Sequence, residues 1–332
     1  MNIRFKSLTV AAFAGAALYA LPAVAQTGAQ TAAQSYPSQP LRLIVPFPPG
    51  GPTDVLGRVL GQGLGEAWHQ PVVVDNKAGA AGNIGVDAIA KATPDGSVFG
   101  VVPAGNIAVN PTLFKTLPYK AADLLPVAML ATVENVLVVN PQVGVTNLKE
   151  LLALAAAKPG QLSFASPGAG SQAHLAGELL QLGTGVKLLH VPYKGTGPAL
   201  NDLLGGQVTM MFAQLSSALP YIKAGKLVAI GIASPVRTAL LPNVPTIAEQ
   251  GVPKFEAVSW YALMAPAGTP VAIIDKLNAE TNTVLQRHET KEKLGALGLQ
   301  IAGGTAAQLA ATIDSETRRW AEVIRKQNIK TE

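Results

Sequence analysis

The stretch that decides the fold is Leu41-Arg-Leu-Ile-Val-Pro-Phe-Pro-Pro-Gly-Gly-Pro-Thr-Asp54. Its first five residues predict a short apolar strand, and residues 46–52 form a rigid Pro/Gly loop. Thr53 is a suitable N-cap for a helix from Asp54 to about Gly65. Because a helix N-terminus offers unpaired N–H groups and the positive end of the dipole, the loop is interpreted as an anion site. The alternative is a βα turn that needs Gly and Pro for geometry alone.

A second loop of the same type, Ser166-Pro-Gly-Ala-Gly-Ser171, follows a strand predicted at residues 162–165. The amides of Gly168 and Gly170 can face an oxyanion, and the last serine adds a hydroxyl at the start of a helix. Two such helix starts suit a ligand with a carboxylate at each end, although both loops could be ordinary turns. The G-x-G-x-x-A spacing does not predict a dinucleotide site, because the next strand ends in Leu189-His-Val191 without an acidic residue.

The order of predicted elements divides the chain into two α/β units. Strands at residues 41–45, 72–75 and 98–102 alternate with helices, which indicates parallel strands with right-handed crossovers. The pattern restarts at Val136 and continues to Ile232.

The last part of the chain, from about residue 255, contains a strand and then mostly helix. Its final helix carries an apolar stripe that includes Leu309, Ile313 and Trp320, and we expect it to pack back onto the first unit. The predicted lobes are therefore residues 37–134 plus 256–332, and residues 135–255. The cleft between two such lobes is the natural ligand site.

Residues 1–25 have the pattern of a secretory signal peptide. Arg4 and Lys6 precede an apolar run that is too short to span a bilayer, and Ala23-Val-Ala25 forms a cleavage pattern. The alternative is an N-terminal membrane anchor. Residues 26–36 are interpreted as a flexible lead-in. We expect export to the periplasm and a free mature protein.

Composition excludes several classes of function. The sequence has no cysteine, which excludes disulfides and thiolate metal sites. Without Arg4 and Lys6, 23 basic residues face 20 acidic ones, and they are scattered along the chain. Nucleic acid is therefore not expected as a partner. A mild positive balance fits an anionic small ligand, and solubility explains it equally well.

Several polar residues at predicted strand or helix ends are lesser candidates for ligand contact. Asn83 begins a helix after Gly79-Ala-Ala-Gly82, and Lys194 and Gln214 follow strands. Lys194 could complement a carboxylate, although a lysine there is more often solvated. Trp260 and Tyr261 could form an aromatic wall or pack in the core.

Catalysis finds little support in the sequence. There is no G-x-S-x-G elbow, and His69, His174, His190 and His288 have no metal-ligand spacing. Ser171 and His174 could be drawn as nucleophile and base, but nothing suggests a third group, and His174 is expected to be packed or capping. We expect no enzyme activity, no metal and no cofactor.

The sequence resembles the Bug family of tripartite tricarboxylate transporter (TctC-type) periplasmic substrate-binding proteins. The likeness covers nearly the whole chain after residue 36. Its markers are residues 44–54, Asp75-Asn-Lys77 with Gly79-Ala-Ala-Gly82, Asn110-Pro111, His190-Val-Pro-Tyr-Lys-Gly195, Pro242-Asn-Val-Pro-Thr-Ile-Ala-Glu249, Trp260-Tyr261 and Ala265-Pro-Ala-Gly-Thr-Pro270.

The resemblance implies a two-lobed periplasmic-binding-protein (Venus flytrap) fold, type II-like, in which each lobe is a mostly parallel sheet flanked by helices. It implies a monomer that closes on a small organic carboxylate and delivers it to membrane permease subunits. The ligand contacts that the resemblance implies are Phe47, Gly50, Thr53, Asp54, Gly79, Ala80, Ser166, Gly168, Gly170 and Ser171.

One departure from the family pattern concerns Gln214. Many relatives carry an Asp at this position, which could pair with an ammonium group, whereas Gln cannot do so by charge. We therefore predict an uncharged or purely anionic ligand rather than an amino acid. The alternatives to a transport receptor are a periplasmic enzyme acting on a small carboxylate and a ligand-presenting partner of a membrane sensor.

Overall fold

The computed structural model describes Met1, residues 36–193 and residues 195–329. The predicted signal peptide therefore lies outside the described residues apart from Met1, and so does the predicted lead-in apart from Tyr36. Lys194 also lies outside them.

The described residues form eleven strands in two sheets. In chain order the strands are β1 (Leu41–Val45), β2 (Val72–Asn76), β3 (Val98–Pro103), β4 (Leu124–Val133), β5 (Asn135–Val139), β6 (Ser163–Ser166), β7 (Leu189–Pro192), β8 (Met210–Gln214), β9 (Val228–Ile232), β10 (Ser259–Pro266) and β11 (Gln300–Gly303). The first sheet has the order β11-β4-β10-β3-β1-β2, and the second has the order β7-β6-β8-β5-β9. Each sheet with the helices packed on it is called a lobe below.

Ten α-helices accompany these strands within the described residues. They are α1 (Pro52–Trp68), α2 (Asn83–Ala90), α3 (Asn110–Leu113), α4 (Leu148–Ala157), α5 (Gln172–Thr184), α6 (Thr196–Leu204), α7 (Leu215–Lys223), α8 (Val271–Gln286), α9 (His288–Gly295) and α10 (Ala306–Lys326). A π-helical turn at Gly105–Val109 leads directly into α3.

The two-lobed α/β fold is as expected, but the sheets are mixed rather than mostly parallel. β1 pairs in parallel with β2 and β3, which confirms the predicted crossovers of the first unit. β10 and β4 run antiparallel to their neighbours, and so does β5 in the second sheet. The reason is that these strands lie next to the two segments that pass between the lobes, where no βαβ crossover fixes a parallel direction.

The start of α1 differs from the prediction. Gly51 is the N-cap, and Thr53 lies inside the helix with no capping hydrogen bond from its side chain. Gly57 allows the helix to pack closely on β1. A Cβ at this position would lie 2.6 Å from Val45 Cγ2. The Pro/Gly loop is thereby held between β1 and the first turn of α1.

Two strands have no counterpart among the predicted elements. β4 is almost wholly apolar and contains Pro126, so it shows neither alternation nor a clean strand signal. It is buried because β10 and β11 pair with it on either side. β11 is a four-residue strand at the edge of the first sheet.

The chain passes between the lobes at two adjacent places. On the way out, β4 and β5 are separated by Glu134 alone. The chain returns to the first lobe through the segment after β9, which ends where β10 begins at Ser259. The Asn135 side chain ties the two crossings together, because its Nδ2 donates to the Ala257 carbonyl oxygen at 2.5 Å. The strands of the first sheet all lie in residues 37–134 and 256–332, and those of the second lie in 135–255. We propose these ranges as the lobe boundaries.

The last helix, α10, was predicted to pack on the first lobe, but it packs on both lobes. Leu309 and Ile313 lie in a core cluster of the first lobe with Ile44. Trp320 and Val323 lie in the main core cluster of the second lobe. The apolar stripe therefore spans both lobes, because the helix is long enough for each half to bury its side chains against a different sheet.

Candidate functional site

A cavity of about 480 Å³ lies between the two lobes. The first lobe contributes aromatic rings and amide side chains, and the second contributes mainly glycine loops and helix starts. The lining residues are Phe47, Ala81, residues 103–106, Asn110, Phe114 and residues 259–261 from the first lobe, and residues 167–172, Gly195, Thr196 and Gln214 from the second. Among the described residues, no charged side chain lines it.

Two helices of the second lobe begin at this cavity. Ser171 is the N-cap of α5, and its hydroxyl oxygen accepts a hydrogen bond from the His174 N–H. Gly195 is the N-cap of α6, which begins at Thr196. The first N–H groups of both helices have no intrahelical acceptor, and both dipoles present their positive ends. The hydroxyls of Ser171 and Thr196 add donors that can turn toward a ligand. This side of the cavity favours an anion.

The amides of the glycine loop are used differently from the prediction. The Gly168 N–H donates to Ser166 Oγ at 3.2 Å, and the Gly170 N–H donates to His174 Nδ1 at 3.0 Å. Neither amide is directed at the cavity as a free donor, although both residues line it. Ser166 is fully buried behind the loop and does not line the cavity.

Two histidines lie behind this loop. The His174 and His190 rings stack with centroids 3.7 Å apart and planes within 6°. Ser166 Oγ lies 2.6 Å from His190 Nε2. Burial, and then the neighbouring His174, lower the pKa of His190 to about 3, so its ring is neutral at physiological pH. The Ser166–His190 contact resembles a nucleophile and base, but the serine has no access to the cavity.

The Pro/Gly loop contributes one residue to the cavity lining, Phe47, whereas Gly50, Thr53 and Asp54 do not line it. Asp54 Oδ2 accepts hydrogen bonds from the Gly50 N–H and from Arg58 Nε, both at 2.9 Å. Burial alone would raise the pKa of Asp54, but the hydrogen bonds from Arg58, Gly50 and Asn76 bring it below the ordinary value. This carboxylate already compensates the N-terminus of α1, and the anion site predicted at this loop stays a prediction.

The next predicted segment, residues 79–83, supports the lining from behind. Ala81 lines the cavity, whereas Gly79, Ala80 and Asn83 do not. Asn83 is 4% exposed, and its Oδ1 accepts hydrogen bonds from the side-chain amides of Asn106 at 3.1 Å and Asn110 at 2.7 Å.

Asn106 and Asn110 line the cavity but were not among the predicted contacts. They belong to the π-helical turn and α3, where no glycine loop or strand end marks them. Asn110-Pro111 was one of the family markers, and this was the one available signal.

The floor of the cavity lies at the crossings between the lobes. Gln214 ends β8, and its Nε2 lies 3.4 Å from the hydroxyl oxygen of Tyr261 on β10. Burial raises the pKa of Tyr261, so its hydroxyl stays protonated and can donate. Trp260 and Tyr261 both line the cavity and are also core residues, so both earlier interpretations of this pair hold.

The described residues contain no group of three His, Cys, Asp or Glu side chains that could hold a metal ion. No helix among them is both long and apolar enough to span a bilayer. The site offers neutral hydrogen-bond donors, two helix N-termini and four aromatic side chains.

Comparison with known proteins gives consistent results. The model of the tripartite tricarboxylate transporter family receptor matches residues 56–329. Protein BugT of Bordetella pertussis is 44% identical over 310 residues, which cover 93% of this chain and 95% of that protein.

Two solved structures from R. palustris are also similar. Rpa4515 with adipate has a TM-score of 0.79 at 34% identity, with 89% of this chain and 99% of that chain covered. MatC from Rhodopseudomonas palustris with bound malate has a TM-score of 0.75 at 32% identity, over 87% and 100% of the two chains. The family resemblance drawn from the sequence is confirmed, and the chain belongs to the receptors of the tripartite tricarboxylate transporter family, which are periplasmic solute-binding proteins.

Proposed function

We propose that this protein captures a small organic carboxylate, or dicarboxylate, in the cavity between its lobes and delivers it to the permease subunits of a tripartite tricarboxylate-type transporter. The observation that carries the proposal is that α5 and α6 both begin at this cavity. Two similar structures hold adipate and malate, which supports a carboxylate as the ligand class. Export after cleavage behind Ala25 and action as a monomer are part of the same proposal.

The carboxylate is held, in this proposal, by the hydroxyls of Ser171 and Thr196 and by the first amides of α5 and α6. Hydrogen bonds to an ionised group are stronger than neutral ones, and a helix N-terminus strengthens them further. Lys194, next to the N-cap of α6 in the sequence, is proposed as an additional cation. The remaining predicted contacts act from behind the lining: Gly50, Thr53, Asp54, Gly79, Ala80, Asn83 and Ser166.

The rest of the ligand lies, in the same proposal, between Phe47 and Phe114 and against the Gln214–Tyr261 pair. Among the described residues this part of the cavity has no carboxylate to pair with an ammonium group. An amino acid would therefore lose the hydration of its ammonium group without a compensating charge. We expect succinate to bind more tightly than aspartate, and the reverse order would contradict this assignment of specificity.

A thermal-shift panel tests the proposal. Protein freed of bound ligand by unfolding and refolding is heated with adipate, malate, succinate, aspartate or citrate, each compared with buffer. Ligand at about 100 to 1,000 times its Kd stabilises by roughly 2.7 to 4.1 kcal/mol, which raises Tm by several degrees.

The matched control for adipate is adipamide, which has the same length and no charge. We expect at least one carboxylate to raise Tm and adipamide to leave it unchanged. An equal shift with adipamide, or no shift with any carboxylate, would contradict the carboxylate assignment. Recovery of chemically changed ligand after incubation would instead favour an enzyme.

A further inference from the structure

We propose that His174 and His190 are positioning residues that hold the Gly168–Ser171 loop in the conformation required for ligand capture, a role that rests on the proposed function. Neither residue lines the cavity between the lobes. They act through the backbone of the loop that does.

The loop is held at both of its glycines. His174 Nδ1 accepts the Gly170 N–H at 3.0 Å. At the other end, Ser166 Oγ accepts the Gly168 N–H at 3.2 Å and lies 2.6 Å from His190 Nε2. The φ angles of Gly168 and Gly170 are +151° and +77°, a region that side-chain-bearing residues rarely adopt. Glycines of this kind leave the loop many alternatives, so the two side-chain contacts select one.

The stack makes the two holding contacts depend on each other. The ring centroids of His174 and His190 are 3.7 Å apart, and Phe164 packs beside the pair, with its centroid 4.9 Å from that of His190 and 6.2 Å from that of His174. Because these rings are buried and in close contact, one cannot rotate without displacing its neighbour. The loop therefore takes its shape from a packed wall formed by β6, β7 and the first turn of α5.

The tautomer of His174 follows from its surroundings. Because Nδ1 accepts a hydrogen bond, the ring proton must be on Nε2. Glu178 Oε1 lies 3.6 Å from that nitrogen and favours a proton there. Among the described residues, Glu178 and His190 are the ionisable groups in contact with the His174 ring. His174 Nδ1 is thus the acceptor for the Gly170 N–H, and Glu178 stabilises the tautomer in which Nδ1 can accept.

Substitution of His174 tests the role. In His174→Asn, the side-chain oxygen can take the place of Nδ1 and accept the Gly170 N–H, whereas His174→Leu has a similar size and no acceptor. We expect the affinity for adipate, measured by titration calorimetry, to fall roughly tenfold in the Leu variant and to be largely retained in the Asn variant. His288→Asn, at an exposed histidine on α9, is the control and should match the wild type.

A second measurement needs no ligand. The exchange rate of the Gly170 amide, followed by NMR, should rise roughly tenfold in His174→Leu and stay near the wild-type value in His174→Asn. Equal exchange and equal affinity in the Leu variant and the wild type would overturn the proposal. If the wild type itself does not bind adipate or another carboxylate, the proposed function fails, and the Gly170 exchange still decides whether His174 holds the loop.

His190 is tested in the same way. His190→Gln keeps a polar atom near the position of Nε2 and should retain binding, whereas His190→Leu should lose it. Loss of affinity in both variants with a normal exchange rate at Gly170 would mean that His190 acts only through packing, which contradicts the mutual dependence argued above.

Discussion

Replacement of Gly170 by alanine is expected to weaken carboxylate binding by roughly tenfold or more. A Cβ at this position would lie 2.2 Å from Leu113 Cδ2, far inside van der Waals contact. Leu113 is the last residue of α3, a helix of the first lobe, so the clash pushes the glycine loop of the second lobe away from it. Because Leu113 is buried in a core cluster and has little room to rotate, we expect the loop to move, which displaces the donors at the start of α5. Titration calorimetry with the strongest ligand of the panel measures the effect.

The control for this variant is Gly185→Ala at the other end of the same helix. Gly185 has a φ of +75°, almost the same as the +77° of Gly170, but a Cβ there would meet no atom within 4 Å. Both variants therefore carry the same backbone strain, about 1–2 kcal/mol, and only one carries the clash. We expect Gly185→Ala to lower Tm and keep the wild-type affinity. Equal affinities for the two variants would show that the contact with Leu113 has no part in binding.

Truncation of Trp320 to alanine is expected to lower the free energy of unfolding by about 3–5 kcal/mol. The side chain is fully buried in the second-lobe core, and its Nε1 donates to Glu316 Oε2 at 2.8 Å. Removal of the indole leaves a void and removes one of the hydrogen bonds to Glu316 at the point where α10 packs on the second lobe. Denaturant unfolding followed by circular dichroism measures the change.

Arg318→Ala is the matched control on the same helix. The Arg318 side chain is 72% exposed and, within the described part of the chain, pairs with Asp314 alone, so its loss should cost no more than about 0.5 kcal/mol. A loss below about 1 kcal/mol for Trp320→Ala would contradict the account of α10 as a helix that joins both cores, because substitutions away from such features have effects of that size.

The fold could be predicted from the sequence wherever periodicity and turn residues coincide. β1 matches the prediction residue for residue, because four apolar residues and Arg42 end at a proline. β4 was missed because burial on both edges permits a continuous apolar run with a proline in it, which is not a strand signal by itself. The direction of β4, β5 and β10 depends on which segments cross between the lobes, and no local pattern records this.

The site was predictable in part for a similar reason. Gly168, Gly170 and Ser171 mark a loop before a helix, and all three line the cavity. Which loop donors are available cannot be read from the sequence, because it depends on distant acceptors such as His174 for Gly170 and on internal compensation such as Asp54 at the start of α1. Asn106 lay in an unmarked segment and reached the cavity only through the folding of the π-helical turn.

Among the described residues, the cavity lining is neutral. In the proposed function these residues hold a carboxylate through hydroxyls and helix N-termini, which are fixed dipoles, and Lys194 adds a cation. The Gln214–Tyr261 contact at the floor adds neutral donors and acceptors, so discrimination there rests on hydrogen-bond geometry rather than on charge.

A crystal structure of the protein with the carboxylate that gives the largest thermal shift tests the proposed ligand site most directly. We expect the ligand to lie in the cavity between the lobes. One carboxylate should be within about 3.2 Å of the Ser171 and Thr196 hydroxyls and facing the starts of α5 and α6. A ligand bound elsewhere, or one whose carboxylate faces the aromatic wall with no contact to either helix start, would contradict it.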